Sequence, residues 1–347
     1  MTSAAGTCAW HDPAQPPFAL SGFAWFARDR VYRRLPLDFP QAFRPPVLEL
    51  AACTAGGQVR FRTDSTAVVV RATLAGAHNM DHMPATGQCG FDCYVGEAGA
   101  QRFAGVTRFD RAQEVLESVV LRAPDRVLRS VTLNFPLYQG VEEVRVGLEP
   151  GAEVLPPLPY ADPRPVVVYG TSITQGGCAS RPGMAYTNIL SRWLNRPFVN
   201  LGFSGNGCGD TEVAEAMGEI PEPAAYVLDY EPNAGPEGMQ KTLEPFLDVL
   251  RAAQPSVPIL VASRIRYASD ALDPASEESR LRSCDFQRET VARRCAAGDG
   301  ALSFLDGGEL LGQDFDECTV DGVHPTDLGF LRIAQGLRPA LETLLRA

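Results

Sequence analysis

The sequence has little lysine, little histidine and no long apolar run. Only one of its 31 basic residues is a lysine, Lys241, and no glycine-rich phosphate loop precedes it. Chemistry that requires a Schiff-base lysine or a phosphate-loop lysine therefore has a single, poorly placed candidate. The longest apolar runs contain about five residues, whereas a helix needs about 20 to span a bilayer. We expect a protein that does not bind or span a membrane.

Positive charge is also scarce. The formal net charge is −11 at pH 7 across 347 residues. Proteins that bind nucleic acid or anionic lipid present a basic face, so we exclude nucleic acid and a membrane surface as partners. The 32 glycines and 28 prolines are too few for a collagen-like or disordered chain. At about 150 residues per domain, the length favours two globular domains.

The nine cysteines form no CxxC pair and no zinc-ligand cluster. Cys93 lies in the predicted strand GFDCY and Cys89 directly precedes it; in extended chain their Cα atoms would be about 13 Å apart, beyond disulfide reach. The first residues, MTSAAGTCAWHDP, contain no basic region followed by an apolar stretch, so we predict no secretory signal. Free thiols without such a signal favour a cytoplasmic location.

Short runs rich in β-branched and aromatic residues dominate residues 47–147. They read VLELAAC, QVRFRT, AVVVRATL, GFDCYV, VLRSVTLNF and VEEVRVGL. No helical period lasts three turns, so the spacing predicts an all-β antiparallel sandwich. Six prolines then follow within 149–165 and disfavour strand pairing there. We predict a β-sandwich domain over 1–155, a proline-rich linker over 156–165 and a second domain over 166–347.

In the second domain, apolar runs of strand length alternate with amphipathic stretches. The apolar runs are VVVYG, FVNLG, AYVLDY, PILVAS and LSFLD. The amphipathic stretches predict helices over 184–194, 212–217, 243–253, 276–297 and 326–346. Buried strands that alternate with helices form a parallel sheet covered on both faces. The pattern predicts an α/β domain with a three-layer, flavodoxin-like order.

Ligands of open α/β sheets bind at the carboxyl ends of the strands, so the residues that follow each predicted strand are candidates for a site. Ser172 comes two residues after the first strand. A serine on a sharp turn near a helix N-terminus suits a nucleophile, because the local N–H groups favour developing negative charge. A serine that only caps the helix would give the same pattern.

The second predicted strand is followed by a glycine-rich stretch. NLGFSGNG contains Gly205, whose backbone N–H could closely approach a substrate. A loop that needs a positive φ, or a nucleotide cradle, explains the same residues equally well.

Two more strand ends complete the set. Asn233 follows the third strand and carries an amide that can donate to an oxyanion, although a turn-forming asparagine beside proline has the same sequence. Near the C-terminus, DGVHP places Asp321 three residues before His324, one of four histidines. A histidine so placed can act as a base while the carboxylate holds its tautomer. Because these residues follow successive strands, we expect one pocket to gather them.

This order of blocks resembles the SGNH/GDSL hydrolase superfamily over about residues 165–347. YGTSITQGG is similar to the nucleophile block, with Ser172 as the nucleophile, and NLGFSGNG is similar to the second block, with Gly205. DGVHPTDLGF is similar to the last block, which supplies an aspartate and a histidine. The β-rich region with LNFPLYQG looks like the sandwich domain that precedes some of these hydrolases.

Two positions depart from the pattern of that superfamily. Thr171 stands where the GDS form has an aspartate, which affects the turn more than the chemistry. Asn233 takes the place of the third-block asparagine, but it is reached through DYEPN rather than the usual GxND.

The resemblance implies a serine ester hydrolase that works through an acyl-enzyme, without a cofactor or a metal. His324 would take the proton from Ser172, and Asp321 would orient His324. The N–H groups of Ser172 and Gly205, with the Asn233 side chain, would hold the oxyanion. The implied substrate is a small-molecule acyl ester, an O-acylated carbohydrate or glycoside, with acetyl as the first choice of acyl group.

Several alternatives stay open. An O-acyltransferase would move the acyl group from Ser172 to a sugar or natural-product hydroxyl. A flavin- or nucleotide-binding domain would use Gly202–Gly209 as a phosphate loop, and a non-catalytic carbohydrate-binding protein would carry a decayed site. Cys178 and Cys208 would lie near Ser172, but a serine nucleophile makes thiol catalysis unnecessary. Nothing in the sequence bears on the oligomeric state.

The stretch HNMDHM is a further candidate. His78 and His82 have a metal-like i, i+4 spacing only on a helix, and this stretch reads as a loop in which Asp81 is the one nearby acid. We therefore expect no metal there. A loop that lines the active-site cleft is the preferred alternative.

Overall fold

The computed structural model describes residues 8–346. Its strands are β1 Ala9–His11, β2 Ala19–Ser21, β3 Gln58–Thr63, β4 Ala67–Leu74, β5 Asp92–Val95, β6 Arg102–Val106, β7 Val115–Arg122, β8 Arg129–Asn134, β9 Val141–Leu148, β10 Val154–Leu155, β11 Val166–Gly170, β12 Phe198–Gly202, β13 Ala225–Asp229, β14 Ile259–Ala262 and β15 Leu302–Leu305. Its α-helices are α1 Phe26–Asp29, α2 Pro45–Ala51, α3 Ala85–Gln88, α4 Ser172–Gln175, α5 Tyr186–Leu194, α6 Thr211–Gly218, α7 Glu231–Ala253, α8 Ala268–Leu272, α9 Pro274–Ala296 and α10 Asp327–Leu344. No helix in the described part of the chain has both the length and the apolar character that a membrane crossing requires.

The chain forms two compact units, and each unit is assembled from separate stretches. The first unit contains residues 8–34, Ala52–Pro163 and Ala179–Val199. The second contains Leu35–Ala51, Arg164–Cys178 and 200–346. Helix α5 thus belongs to the first unit, and helix α2 belongs to the second. Each unit takes residues from both sides of 156–165, and the division into 1–155, 156–165 and 166–347 stays a prediction.

The first unit contains the antiparallel sandwich that the strand spacing predicts. One sheet has the order β1-β9-β4-β7, and the other has the order β10-β3-β8-β5-β6 with β2 beside β3. Buried residues of both sheets, among them Phe61, Val70, Leu133 and Val146, belong to a single apolar cluster. The two sheets therefore share one hydrophobic core.

One predicted strand in the N-terminal half is wrong. The run VLELAAC lies mainly in helix α2, whose buried residues Val47 and Ala51 are one helical turn apart. Pro45 and Pro46 begin this helix, where their missing N–H groups would have no partner in any case. Leucine, glutamate and alanine favour a helix, so the i, i+4 spacing of the buried residues was the better guide than apolar content alone.

The second unit contains the five-stranded parallel sheet, in the order β12-β11-β13-β14-β15. Every residue of β11 is buried, as expected for a strand covered on both faces. This order confirms the predicted flavodoxin-like arrangement. In the register of β11 with β13, Gly170 lies opposite Asp229. The residues that follow these two strands therefore emerge at the same edge of the sheet.

Candidate active site

Ser172 opens helix α4 immediately after strand β11. The residue before it, Thr171, is the N-cap, and its Oγ1 accepts a hydrogen bond from the Ile173 N–H at 3.3 Å. The capping role that could have explained a serine at this turn is therefore filled by Thr171. Ser172 itself is buried, and its hydroxyl is directed to a histidine.

Asp321 and His324 form a compact loop before helix α10. Asp321 Oδ2 lies 2.7 Å from His324 Nδ1, while Asp321 Oδ1 accepts the backbone N–H groups of His324 at 2.7 Å and Val323 at 3.0 Å. Desolvation by burial would raise the pKa of Asp321, but these hydrogen bonds outweigh it and lower the pKa. Asp321 is thus held as a carboxylate that faces one side of the imidazole.

The other side of the imidazole faces Ser172. His324 Nε2 lies 2.8 Å from Ser172 Oγ. A carboxylate at Nδ1 favours the tautomer in which Nδ1 carries the proton and Nε2 can accept one. A hydroxyl, an imidazole and a carboxylate in this sequence of contacts are the arrangement that converts a serine into a nucleophile.

The glycine-rich loop after β12 packs directly against the Ser172 turn. Phe203 N–H donates to Gly170 O at 3.0 Å, and Ser204 N–H donates to Gln175 Oε1 at 3.1 Å. A Cβ atom added at Gly207 would lie 2.1 Å from Gly170 O. Only glycine permits this close approach, so the loop and the Ser172 turn are packed together.

Gly205 lies at the exposed tip of this loop. Its φ is +66°, and no heavy atom lies within 4 Å of the position where a Cβ would be. Across residues 8–346, its N–H donates no hydrogen bond to the protein. The loop therefore presents a backbone donor that the fold does not use.

Asn233 lies in the first turn of helix α7. Its Oδ1 accepts the Gly207 N–H at 3.2 Å. This contact fixes the orientation of the amide and leaves its NH₂ group as the available donor. The structure therefore brings Asn233 to the loop that carries Gly205, as expected for residues that follow neighbouring strands.

The backbone N–H groups of the same loop are not arranged as in a phosphate-binding loop. The N–H groups of Asn206 and Gly207 donate to Phe203 O at 2.8 and 2.9 Å, and that of Gly209 donates to Tyr169 OH at 2.9 Å. A phosphate loop directs consecutive N–H groups at its ligand. The nucleotide-binding alternative fails because these donors are satisfied within the protein.

The cysteines near the site are not thiolates. Burial, and secondarily the charge of Asp321, raises the pKa of Cys178 to about 12. Desolvation also raises the pKa of Cys208. Because the thiolate is the nucleophilic form, neither residue is prepared for thiol catalysis. All nine cysteines are free, and Cys89 follows helix α3 rather than sharing strand β5 with Cys93.

His78 and His82 lie in a loop of the first unit, so the helical i, i+4 arrangement of a metal pair does not occur there. His78 Nε2 contacts Met83 O at 3.0 Å, and His82 Nδ1 contacts Asp81 Oδ1 at 3.1 Å. The expectation that this loop lines the cleft stays a prediction.

Two contacts at the candidate site were not predicted from the sequence. Thr174 Oγ1 donates to Asp229 Oδ2 at 3.1 Å and thereby ties helix α4 to the end of β13. A signal for this contact exists, because Asp229 ends β13 and Thr174 follows β11, and these strands are neighbours in a flavodoxin-like order. Arg44, which contacts the Gly205 loop, has no comparable signal in the sequence.

Comparisons with known proteins agree with this geometry. The profile of the GDSL-like Lipase/Acylhydrolase family matches residues 163–342, and a profile described as the N-terminus of SGNH-hydrolase-type esterases matches residues 8–154. The first of these matches covers more than half of the chain. The chain therefore belongs to the GDSL-like lipase and acylhydrolase family of enzymes, as its motifs indicate.

Solved structures resemble the chain over nearly its whole length. A protein from Bacteroides ovatus ATCC 8483 described as a GDSL-like lipase is 29% identical, with a TM-score of 0.90 and 98% of each chain covered. A salicylyl-acyltransferase from a tetracycline biosynthetic pathway is 21% identical, with a TM-score of 0.71 and 97% of each chain covered. A family two carbohydrate esterase from Cellvibrio japonicus is 12% identical, with a TM-score of 0.61 and 98% of each chain covered. The last two share the fold. No curated protein sequence matches the chain.

Proposed function

We propose that this enzyme is a serine ester hydrolase that forms an acyl-enzyme on Ser172. The observation that carries the proposal is the contact of His324 Nε2 with Ser172 Oγ at 2.8 Å while Asp321 holds Nδ1. His324 takes the hydroxyl proton as Oγ forms a bond to the ester carbonyl carbon. The tetrahedral intermediate then expels the alcohol, which leaves with that proton.

Water completes the cycle. His324 removes a proton from water as the water oxygen attacks the acyl carbon, and Ser172 leaves with the proton as the acid is released. The carboxylate of Asp321 stabilises the imidazolium that forms in both steps. Its lowered pKa keeps it ionised wherever His324 is able to act as a base.

Three donors hold the oxyanion in this proposal: the N–H groups of Ser172 and Gly205 and the amide NH₂ of Asn233. The open N–H of Gly205 and the Asn233 amide oriented by Gly207 support the assignment. Each such donor typically contributes about 3 kcal/mol of transition-state stabilisation.

The proposed substrate is an O-acylated carbohydrate or glycoside, with acetyl as the acyl group. The family resemblance and the carbohydrate esterase among the structures with this fold support this class. The first 155 residues then serve as an accessory domain that binds sugar or shapes the site, and 156–165 link it to the hydrolase domain. The nine free cysteines support a reducing, cytoplasmic location.

An O-acyltransferase is the second candidate, supported by the salicylyl-acyltransferase that shares the fold. Transfer requires that an acceptor hydroxyl outcompetes water. The side chains of His324 and Asp321 are 22% and 36% exposed, so water has access to the base, which favours hydrolysis. Product analysis with and without an alcohol acceptor distinguishes the two: free acid alone supports hydrolysis, whereas an acylated acceptor supports transfer.

The decisive experiment compares Ser172→Ala with Ser256→Ala, a control at an exposed serine that follows helix α7. We expect Ser172→Ala to lower p-nitrophenyl acetate turnover by at least about 10³-fold and to abolish organophosphonate labelling, with an unchanged circular dichroism spectrum. Mass spectrometry should find the acyl adduct on the Ser172 peptide of the unaltered enzyme. Turnover at the original rate in Ser172→Ala would contradict the proposal.

A further inference from the structure

Arg44 contacts the Gly205 loop, residues 203–210 between β12 and α6, through four hydrogen bonds. Its Nε and Nη2 atoms donate to the two carboxylate oxygens of Asp210 at 2.6 and 2.9 Å. Its Nη1 donates to Asn206 Oδ1 at 3.0 Å, and Nη2 also donates to Asn206 O at 2.8 Å. The rigid, planar guanidinium matches this forked set of acceptors, which an ammonium group cannot do.

The backbone of Arg44 is itself fixed. Its carbonyl accepts the N–H groups of Val47 and Leu48 at 2.9 and 3.1 Å, so the Arg44 backbone is anchored directly before helix α2. The following Pro45 restricts Arg44 to extended conformations. The Arg44 side chain is therefore held at both ends, by its fixed backbone and by the four hydrogen bonds of its guanidinium group.

The contacts of Arg44 continue through Asn206 to both sides of Gly205. Asn206 Nδ2 donates to Ser204 O at 3.0 Å, and Asn206 N–H donates to Phe203 O at 2.8 Å. Gly205 lies between these held residues but has no side chain, and nothing lies within 4 Å of its missing Cβ. The direction of the Gly205 N–H therefore depends on how firmly its two neighbours are held.

We propose that Arg44 is a positioning residue that directs the Gly205 N–H toward the oxyanion of the reaction. This inference rests on the proposed function. Arg44 acts through Asn206 and Asp210 and does not touch the reacting atoms. Its loss should therefore weaken an interaction made in the transition state, while binding of the ground-state ester stays the same.

The test compares Arg44→Lys with Arg71→Lys. Arg71 is a matched control, since it pairs with Glu117 in the first unit and its side chain is 47% exposed, close to the 41% of Arg44. We expect Arg44→Lys to lower kcat for p-nitrophenyl acetate by about 10- to 100-fold with KM nearly unchanged. Organophosphonate labelling should slow by a similar factor, and Arg71→Lys should leave both rates unchanged.

Rescue adds a readout that a merely structural role would not give. Arg44→Ala should regain part of its kcat when ethylguanidinium is added at millimolar concentration, because the site is partly open to solvent. Asp210→Asn is a second variant in case Arg44→Ala does not fold, and it should lower kcat with KM unchanged, as Arg44→Lys does. A raised KM with unchanged kcat in Arg44→Lys would overturn the proposal and make Arg44 a substrate contact.

Hydrogen exchange separates this inference from the proposed function. Arg44→Lys should speed exchange of the Asn206 and Gly207 amides, which a peptide over 203–210 reports without any turnover. Faster exchange would show that Arg44 holds the loop even if Ser172→Ala keeps full activity, in which case only the proposed function, and with it the oxyanion, fails. Unchanged exchange together with unchanged kcat would overturn the role of Arg44 while leaving the proposed function intact.

Discussion

Ser172 and His324 are 152 positions apart in the sequence, and their Oγ and Nε2 atoms lie 2.8 Å apart. The fold achieves this meeting by placing one residue directly after strand β11 and the other in a loop that leads into helix α10. Asp321 then fixes the ring from the same loop as His324. The hydroxyl and the imidazole thus come from different elements, whereas the imidazole and the carboxylate belong to one local loop.

The carboxylate of Asp321 should be required for the tautomer of His324. Asp321→Asn retains an oxygen for the N–H groups of Val323 and His324 but can present an amide donor to Nδ1, which favours the opposite tautomer. We expect kcat to fall by about 10²- to 10⁴-fold. Asp316→Asn, at an exposed aspartate five residues earlier, is the control. Equal kcat values for the two variants would refute the role of Asp321.

Activity should fall on the acid side because His324 must be neutral to accept the Ser172 proton. We expect kcat/KM to decline as the pH is lowered from about 8 to about 5, because a protonated imidazole cannot accept a proton. The pKa of Asp321 is lowered from its ordinary value of 3.8, so this carboxylate stays ionised throughout that range and does not cause the decline. Circular dichroism over the same range checks that the fold persists. A flat profile would contradict the assignment of His324 as base.

An alanine at Gly205 should cost little stability but should lower turnover. In Gly205→Ala the new Cβ would have no heavy atom within 4 Å, but the φ of +66° is strained for alanine. This strain should lower the free energy of unfolding by about 1 kcal/mol. Gly151→Ala is the matched control, because its φ is +78° and its surroundings are equally open. We expect similar small losses of stability for both variants in urea titrations. Only Gly205→Ala should also lose turnover; equal activities would argue against Gly205 as an oxyanion donor.

Gly207→Ala should damage the site outright. The added Cβ would lie 2.1 Å from Gly170 O and 2.7 Å from Gly170 C, so the loop and the nucleophile turn would have to separate. We expect a loss of unfolding free energy of at least about 3 kcal/mol. Thermal unfolding of Gly207→Ala beside Gly205→Ala measures the difference, and similar melting temperatures would show that the loop tolerates the shift.

The sequence predicts the central part of the site because each of its residues follows a strand. Strands buried on both faces appear as plain apolar runs, so β11 to β15 are visible in the sequence. The carboxyl ends of β11 and β13 locate Ser172 and Asn233, and the Asp321–His324 loop lies between β15 and helix α10. The N-terminal sandwich is predictable because most of its strands are short runs rich in β-branched and aromatic residues. Its strand β7, which alternates buried and exposed residues, was nevertheless not among the predicted runs.

The features that the sequence does not predict depend on contacts between residues far apart in the chain, or on helices whose apolar period is interrupted. Arg44 meets Asp210 across 166 positions, and no local motif marks either residue. Helix α7 is predicted only from residue 243, whereas it begins at Glu231. Gly235, with a non-helical φ of 63°, and Pro236 kink its first turns. Glycine and proline have the lowest helix propensities, so the sequence predicts no helix there.

The buried pair of Arg264 and Asp270 should make the protein sensitive to acid. Burial would raise the pKa of Asp270, but hydrogen bonds from Arg264, Ser276 and the Tyr267 N–H lower it from 3.8 to about 2. A carboxylate with a lowered pKa stabilises the fold above the unfolded value, and this contribution is lost as the pH falls from about 4 toward 2. The shift corresponds to about 2 kcal/mol.

Asp270→Asn tests this expectation. At pH 7 we expect it to lower the free energy of unfolding by at least about 2 kcal/mol, because Arg264 loses its buried counter-charge. The gap from the unaltered protein should narrow as the pH falls from about 4 to about 3, since only the unaltered protein has this group to titrate. Glu117→Gln, at an exposed pair, should change stability little. A gap that stays constant with pH in urea titrations would show that Asp270 does not supply the acid-sensitive stability.

The turnover of Asp270→Asn should fall too, because the Ala268 N–H beside this pair donates to Gly322 O at 2.9 Å and so helps to hold the loop of Asp321 and His324.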